Sequence, residues 1–257
     1  MGTINMEIEE RLALLTIHSP PANALSTNLL NDLSQHLDTI EQDKTVKAVI
    51  LKGEGKFFSA GADIKEFTTL QHAADYEALA KKGQELFDRI EHFPVPVIAA
   101  IHGAALGGGL ELAMACHMRI VSEDAKLGLP EMTLGIIPGF AGTQRLPHYV
   151  GSAKAYEMIL TGEPITGQEA YTLGLANQVV NEQNVVQAAM TLAEKIAAKS
   201  RPGINQVMRL IPYAKTEQFS QGVQREAEAF SNIFGLEDAK EGIEAFIEKR
   251  TPHFKDK

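Results

Sequence analysis

Val97-Ile98-Ala99-Ala100-Ile101, opened by Pro94-Val95-Pro96, runs through a short connection into Gly107-Gly108-Gly109-Leu110-Glu111. A short segment with no polar face is the pattern of a strand covered on both sides, as in a largely parallel sheet layered between helices. The glycines allow backbone conformations closed to other residues, so the chain can turn tightly and another group can approach its main chain. A helix over 110–116 and a strand over 118–122 follow. Strand, loop, helix and strand at this spacing predict an α/β layered domain.

The rest of the chain agrees with that class. Residues 4–8 and 12–17 read as two strands joined by the charged turn Glu9-Glu10-Arg11, and Ser19-Pro20-Pro21 stops the second. Ser26 suits the N-cap of a helix over 27–42. Residues 46–52 form a buried-type strand before the loop Gly53-Glu54-Gly55, and 63–92 is mostly helical. A loop is expected from 123 to Glu131, and Thr166-Gly167-Gln168-Glu169 matches a capping box opening a short helix. From residue 185 the segments are nearly all helical, punctuated by Pro202 and Pro212. The expected division is an α/β core over 1–197 and a helical region over 198–257. Amphipathic helices with no core of their own, bearing apolar residues such as Ile243, Phe246 and Ile247, must pack on the body or on a neighbouring subunit. A symmetric homo-oligomer is the expectation.

Composition removes several function classes. The formal net charge of -9, with basic residues scattered, argues against nucleic acid as a partner. The one cysteine, Cys116, excludes an intramolecular disulfide, fits a reducing compartment, and suits a small buried hydrophobe better than a nucleophile. Eight histidines stand without HxxxH or CxxC spacing, so no metal site is expected. Residues 1–10 are polar and acidic, unlike a secretory signal. The weakly polar stretch 95–110 is too short for a bilayer and holds Pro96, His102 and four glycines. These features point to a soluble, cytoplasmic protein that does not act in a membrane.

Two carboxylates could carry chemistry. Glu111 follows the glycine run, and Glu131 stands in Leu129-Pro130-Glu131, shortly before Ile137-Pro138-Gly139. Paired carboxylates move protons at neutral pH, one as acid and one as base. A helix of about two turns out and a strand of similar length back allow the loop ending in Glu131 to return near Gly109. Two solvated carboxylates among the chain's 33 acidic residues fit the same spacing. The glycine run likewise admits two accounts. Free N–H groups and the positive dipole end of the next helix would make an anion or oxyanion site, or the run is a tight turn with close packing. It is not a dinucleotide loop, because Gly103, Gly107 and Gly109 do not make GxGxxG, and no GxxxxGK[ST] phosphate loop exists.

Four ordered motifs narrow these alternatives. Phe58-Ser59-Ala60-Gly61-Ala62-Asp63, Ala105-Leu106-Gly107-Gly108-Gly109-Leu110-Glu111, Pro130-Glu131, and Pro138-Gly139-Phe140-Ala141-Gly142-Thr143-Gln144-Arg145-Leu146 resemble the crotonase superfamily, in particular its enoyl-CoA hydratase branch. The resemblance runs over essentially the whole chain, to Ala245-Phe246-Ile247-Glu248-Lys249-Arg250. It implies a spiral of ββα turns with a C-terminal helical appendage, assembled as trimers that pair into hexamers. The oxyanion-hole N–H groups map onto Ala62 and Gly108, and the catalytic glutamates onto Glu111 and Glu131. Ala60, Ala62, Asp63, Ile64, Lys65, Gly108 and Gly139 map onto the coenzyme A ester site. Phe246 and Lys249 match positions that reach a neighbouring subunit's coenzyme A. Two places depart from the family pattern: His117 stands where aspartate is frequent, and Phe140-Ala141 replaces a smaller pair beside the acyl pocket.

The activity implied is addition of water across a trans-2-enoyl-CoA, giving a 3-hydroxyacyl-CoA, in fatty acid β-oxidation. No cofactor is expected, since coenzyme A is part of the substrate. Glu111 is the expected base and Glu131 the expected acid. The rival activities are an enoyl-CoA isomerase or another acyl-CoA lyase, which typically use a different carboxylate set, and a non-catalytic coenzyme A binding module, which would not keep both glutamates. An RNA-binding role would need a basic surface.

Overall fold

The computed structural model describes residues 2–67, 73–215, 218–234 and 236–257. β1 (Thr3–Glu9) and β2 (Leu12–His18) form a hairpin with Glu9 opposite Leu12. Glu10 and Arg11 make its tight turn at φ 43° and 74°, the twist a two-residue connection requires. α1 (Thr27–Gln42) starts at Ser26, whose hydroxyl accepts the Leu29 N–H at 3.3 Å. It buries Leu29, Leu30, Leu33, Leu37 and Ile40 along one face, and each such side chain contributes about 1.5–3 kcal/mol when fully buried.

β3 (Ala48–Gly53), α2 (Ile64–Phe67), α3 (Ala73–Glu91), β4 (Val97–Ile101), β5 (Ala104–Leu106), α4 (Gly108–Ala115), β6 (Met118–Ser122) and β7 (Lys126–Gly128) follow in order. Then come a 3-10 turn (Pro130–Leu134), α5 (Gly142–Thr161), β8 (Ile165–Thr166), α6 (Gly167–Thr172), β9 (Gln178–Val180) and α7 (Val185–Ala197). The large sheet has the order β1-β2-β3-β4-β6-β9 and is parallel except for the first hairpin. A small sheet, β5-β7-β8, runs beside it. Two successive turns of the chain, β4–β5–α4 and β6–β7–α5, each give one strand to the large sheet, one to the small sheet and then a helix. The fold is therefore the crotonase-type ββα spiral.

Strand alternation divides the core. Val49, Leu51, Val97, Ala99 and Ile101 face α1 and α3, while Ala48, Ile50, Ile98, Ala100 and Ile120 face Val185, Ala189, Ala193 and Ala197 of α7. Both faces of β4 are covered, as its apolar sequence requires. Beyond this body lie α8 (Arg201–Leu210), α9 (Phe219–Phe234) and α10 (Glu237–Glu248). The last residues return to the body, where Asp256 pairs with the fully buried Lys47 at 2.6 Å and accepts the Arg201 N–H at 2.9 Å.

Several expectations shift. The helix expected over 110–116 begins at Gly108, because Gly107 at φ 51° acts as its cap. The glycine run is thus a cap and a first turn rather than a loop. The stretch expected as a loop from 123 to Glu131 contains β7, and β5, β8 and β9 add two or three residues each. Strands this short carry too few residues for a periodic signal. Within 63–92 the described helices are α2 and α3, and residues 68–72 lie outside the described residues. The Thr166 capping box is present, with reciprocal bonds to Glu169.

Candidate active site

Backbone sterics build the first half of the site. Ser59, fully buried, donates its hydroxyl to Asn23 O at 2.7 Å and accepts the Gly61 N–H at 3.2 Å. Gly61 stands at φ 101°, and a Cβ there would lie 2.8 Å from Leu106 O and 3.3 Å from Gly108 N. Only glycine satisfies both the conformation and the contact. Gly61 O and Asp63 N both bond to Leu25, which leaves the intervening Ala62 N–H outside that pairing. Gly108 opens α4, so its N–H has no carbonyl one turn back. A Cβ on Gly108 would lie 3.3 Å from Ala62 N. The two amides therefore sit side by side, and neither donates to another described residue. With the α4 dipole behind Gly108, the pair suits an oxygen bearing negative charge.

The second half consists of the two glutamates. Glu111 lies in the first turn of α4 and is 1% exposed. Its Oε1 accepts the Phe140 N–H at 2.8 Å and the Gly142 N–H at 2.7 Å. Burial pushes its carboxyl from the ordinary 4.5 up to about 7, against the lowering effect of the Gly142 N–H and with added repulsion from Glu131. Glu131 lies on the 3-10 turn, with Oε1 3.0 Å from where a Cβ on Gly107 would stand. Its Oε2 is buried without a hydrogen-bond partner among the described residues. Burial raises its carboxyl as well. Two carboxyls that resist ionisation, one with an unsatisfied oxygen, can exchange protons with a small polar molecule held between them.

The structure thus gathers Ala62, Gly108, Glu111 and Glu131, with Phe140 joining them through its N–H. Ala60 is exposed on the same loop as Ala62, Asp63 is half-buried, and Ile64, 46% exposed, opens α2. The Lys65 side chain lies outside the described residues. Gly139 accepts a bond from Gln84 at 2.9 Å and has open space where a Cβ would be. Phe246 and Lys249 lie at the far end of α10, Phe246 85% exposed, and among the described residues neither shares a hydrogen bond with these loops.

Both departures from the family pattern have structural places. The Phe140 ring is buried between Gly83, Phe87 and Gly108, meeting Phe87 edge-on at 5.3 Å between centroids. His117 accepts the Val97 N–H at 2.9 Å and meets Glu91 O at 3.2 Å, and burial pushes it down to about 4. It lines a cavity of about 850 Å³ under α8, together with Met114, Tyr149 and Ile204, apart from both glutamates. Sequence inspection did not single out Arg145, whose guanidinium bonds Phe140 O and the Glu91 carboxylate. Among the described residues no group of three His, Cys, Asp or Glu is placed to hold a metal, and no helix is long and apolar enough to cross a membrane.

A crotonase spiral carrying an amide pair beside one buried and one half-buried glutamate defines a class of thioester-handling proteins. The chain belongs to the enoyl-CoA hydratase/isomerase family, whose model matches residues 7–257. A probable enoyl-CoA hydratase of Bacillus subtilis is 56% identical over 256 residues, 99% of each chain. A crotonyl-CoA hydratase of Syntrophomonas wolfei is 40% identical, covering 98% of this chain and 97% of its own. The crystal structure of an enoyl-CoA hydratase from Bacillus anthracis superposes with a TM-score of 0.94 at 38% identity, over 99% of this chain and 100% of that one.

Proposed function

We propose that this chain is a hydro-lyase that adds water across the double bond of a trans-2-enoyl-CoA, giving a 3-hydroxyacyl-CoA, as in fatty acid β-oxidation. Relatives named for hydration of enoyl-CoA and crotonyl-CoA support the activity. The observation that carries the mechanism is the unpaired Ala62 and Gly108 amides beside Glu111 and Glu131. Conjugate addition builds negative charge on the thioester oxygen. Two N–H groups fixed toward that oxygen stabilise the enolate-like transition state more than the substrate.

In this scheme one water bridges the glutamates. Glu111 takes a proton from it as its oxygen bonds to C3, and Glu131 delivers a proton to C2. The buried, unpartnered Oε2 of Glu131 supports a polar occupant at that place. The proton on one carboxyl and the charge on the other titrate as a coupled pair. Net water addition needs no metal, nicotinamide or flavin. Ala60, Asp63, Ile64, Lys65 and Gly139 would line the coenzyme A ester. Phe246 and Lys249 would serve a neighbouring subunit in a homotrimer or hexamer acting in the cytoplasm, and the 85% exposure of Phe246 supports a protein surface there. The test is ultraviolet loss of the conjugated enoyl thioester, with crotonyl-CoA and longer homologues and identification of the product. A shifted double bond with no 3-hydroxyacyl product would make the enzyme an isomerase instead.

A further inference from the structure

We infer that Arg145, anchored by Glu91, is a positioning residue that fixes the 140–142 turn so that two main-chain N–H groups hold Glu111 in its working place. The inference rests on Glu111 being catalytic, as proposed above.

The turn is held on two sides. On one side Glu111 Oε1 accepts both Phe140 N–H and Gly142 N–H, at 2.8 and 2.7 Å. On the other, Arg145 Nη1 donates to Phe140 O at 2.9 Å, so one peptide residue is gripped at both its N–H and its carbonyl. Ala141, between the two donors, stands at φ 69°. A non-glycine residue persists in that region only where its surroundings over-determine it. Arg145 also closes the turn through its own N–H, which bonds Ala141 O at 2.9 Å.

Arg145 is itself immobilised. Its Nε and Nη2 lie 3.0 and 2.9 Å from Glu91 Oε2, its side chain is 10% exposed, and Glu91 sits at the end of α3. The guanidinium fork thus ties α3 to the turn, and the turn to α4. A rigid fork can serve a carboxylate and a carbonyl together, whereas a single ammonium cannot hold the same geometry.

The charged groups acting on Glu111 from neighbouring elements are Glu131, on the 3-10 turn, which raises its carboxyl, and Arg145, on α5, which lowers it. Glu91, on α3, engages Arg145, and α4 carries no other ionisable residue. Removing Arg145 therefore deletes one lowering influence directly and loosens the two N–H bonds that also lower the carboxyl. Glu111 should then hold its proton to higher pH.

The test is a pH–rate series with crotonyl-CoA on Arg145→Gln, Arg145→Lys and Glu91→Gln, with Glu111→Gln alongside and folding checked by circular dichroism. Arg145→Gln is expected to lower kcat by up to about a hundredfold, the order of loss that follows misplacement of a catalytic group. KM should change little and the acid limb should move to higher pH. Arg145→Lys keeps the charge without the fork, so its plateau kcat should fall and its limb should move in the same direction as that of Arg145→Gln, by less. Glu91→Gln should shift both in the direction of Arg145→Gln, by less. Glu91 is nearly half exposed, so this variant decides the matter if Arg145→Gln does not fold. A folded Arg145→Gln, or in its absence Glu91→Gln, with wild-type kcat and acid limb overturns the inference, even if its melting temperature drops. An active Glu111→Gln would instead sink the catalytic assignment. An inactive Glu111→Gln with an unmoved Arg145 series would sink the positioning role alone.

Discussion

Glu111 occupies the space where a side chain at residue 142 would begin: Gly142 donates its N–H to Oε1 at 2.7 Å, and a Cβ on Gly142 would stand 2.8 Å from that same oxygen. The glycine is therefore a requirement of the carboxylate's position, imposed from the start of another helix.

Replacing Gly142 with alanine tests that relationship. The added carbon would press on Oε1 and Cγ of Glu111 and on Leu129, and the end of the glutamate side chain is the part free to move. The fold should survive while the carboxylate is displaced. We expect kcat to fall by tenfold to about a hundredfold, with a small change in melting temperature. Steady-state kinetics on the folded variant check it, and wild-type kcat would mean that the position of Oε1 does not matter.

Glu111→Gln and Glu131→Gln are nearly isosteric, so coenzyme A ester affinity should persist while proton transfer fails. General acid–base groups contribute roughly 10²- to 10⁴-fold, so each change should lower kcat by at least about a hundredfold. Because both glutamates would act on one water, the double variant should lose less than the product of the single losses. A fully active Glu111→Gln beside an inactive Glu131→Gln would point to a one-carboxylate, isomerase-like site.

What the sequence made legible follows from range. The β1–β2 hairpin, the Ser26 cap, the 27–42 helix and the β4 strand depend on neighbours within a few residues, and local pattern located them. Strands of two or three residues such as β8 and β9 exist because partners elsewhere hold them, and no local period marks them. The same division runs through the site. Glu111 and Glu131 stood beside glycine and proline punctuation and were visible. Arg145 reaches across 54 residues to Glu91, and its role is set wholly by packing. The triglycine was visible, but that it caps a helix rather than forming a loop depends on Gly107 adopting φ 51°, where its N–H meets Gly128 O.

Gly108→Pro probes the amide pair. Proline is tolerated at the first position of a helix, where the N–H has no helical partner, and Gly108 occupies that position. The substitution removes one of the two donors and brings a ring against Phe140 and Ala62 N. Loss of one oxyanion donor typically costs about 3–4 kcal/mol in the transition state, a 10²- to 10³-fold drop in kcat. Near-normal turnover by a folded Gly108→Pro protein would exclude this amide from the oxyanion site.

The buried carboxyl of Glu111 should also leave a signature in stability. Burial, opposed by the Gly142 N–H, lifts it from 4.5 to about 7 in the folded protein. Between those values the folded state keeps a proton that the unfolded chain has released. Stability from this group is therefore full below about 4.5, declines as pH rises to about 7, and is level above that. The decline amounts to roughly 3 kcal/mol at most, because a tenfold change in proton affinity is worth about 1.36 kcal/mol. Glu111→Gln carries no such titration. The variant should match wild type near pH 5 and be more stable near pH 8, while its activity is lost at both. Denaturant unfolding of the two proteins at each pH measures the difference. An equal gap at pH 5 and pH 8 would mean that Glu111 ionises at an ordinary value. The acid limb of kcat/KM should then also lie well below 7, since the base must lose its proton to act.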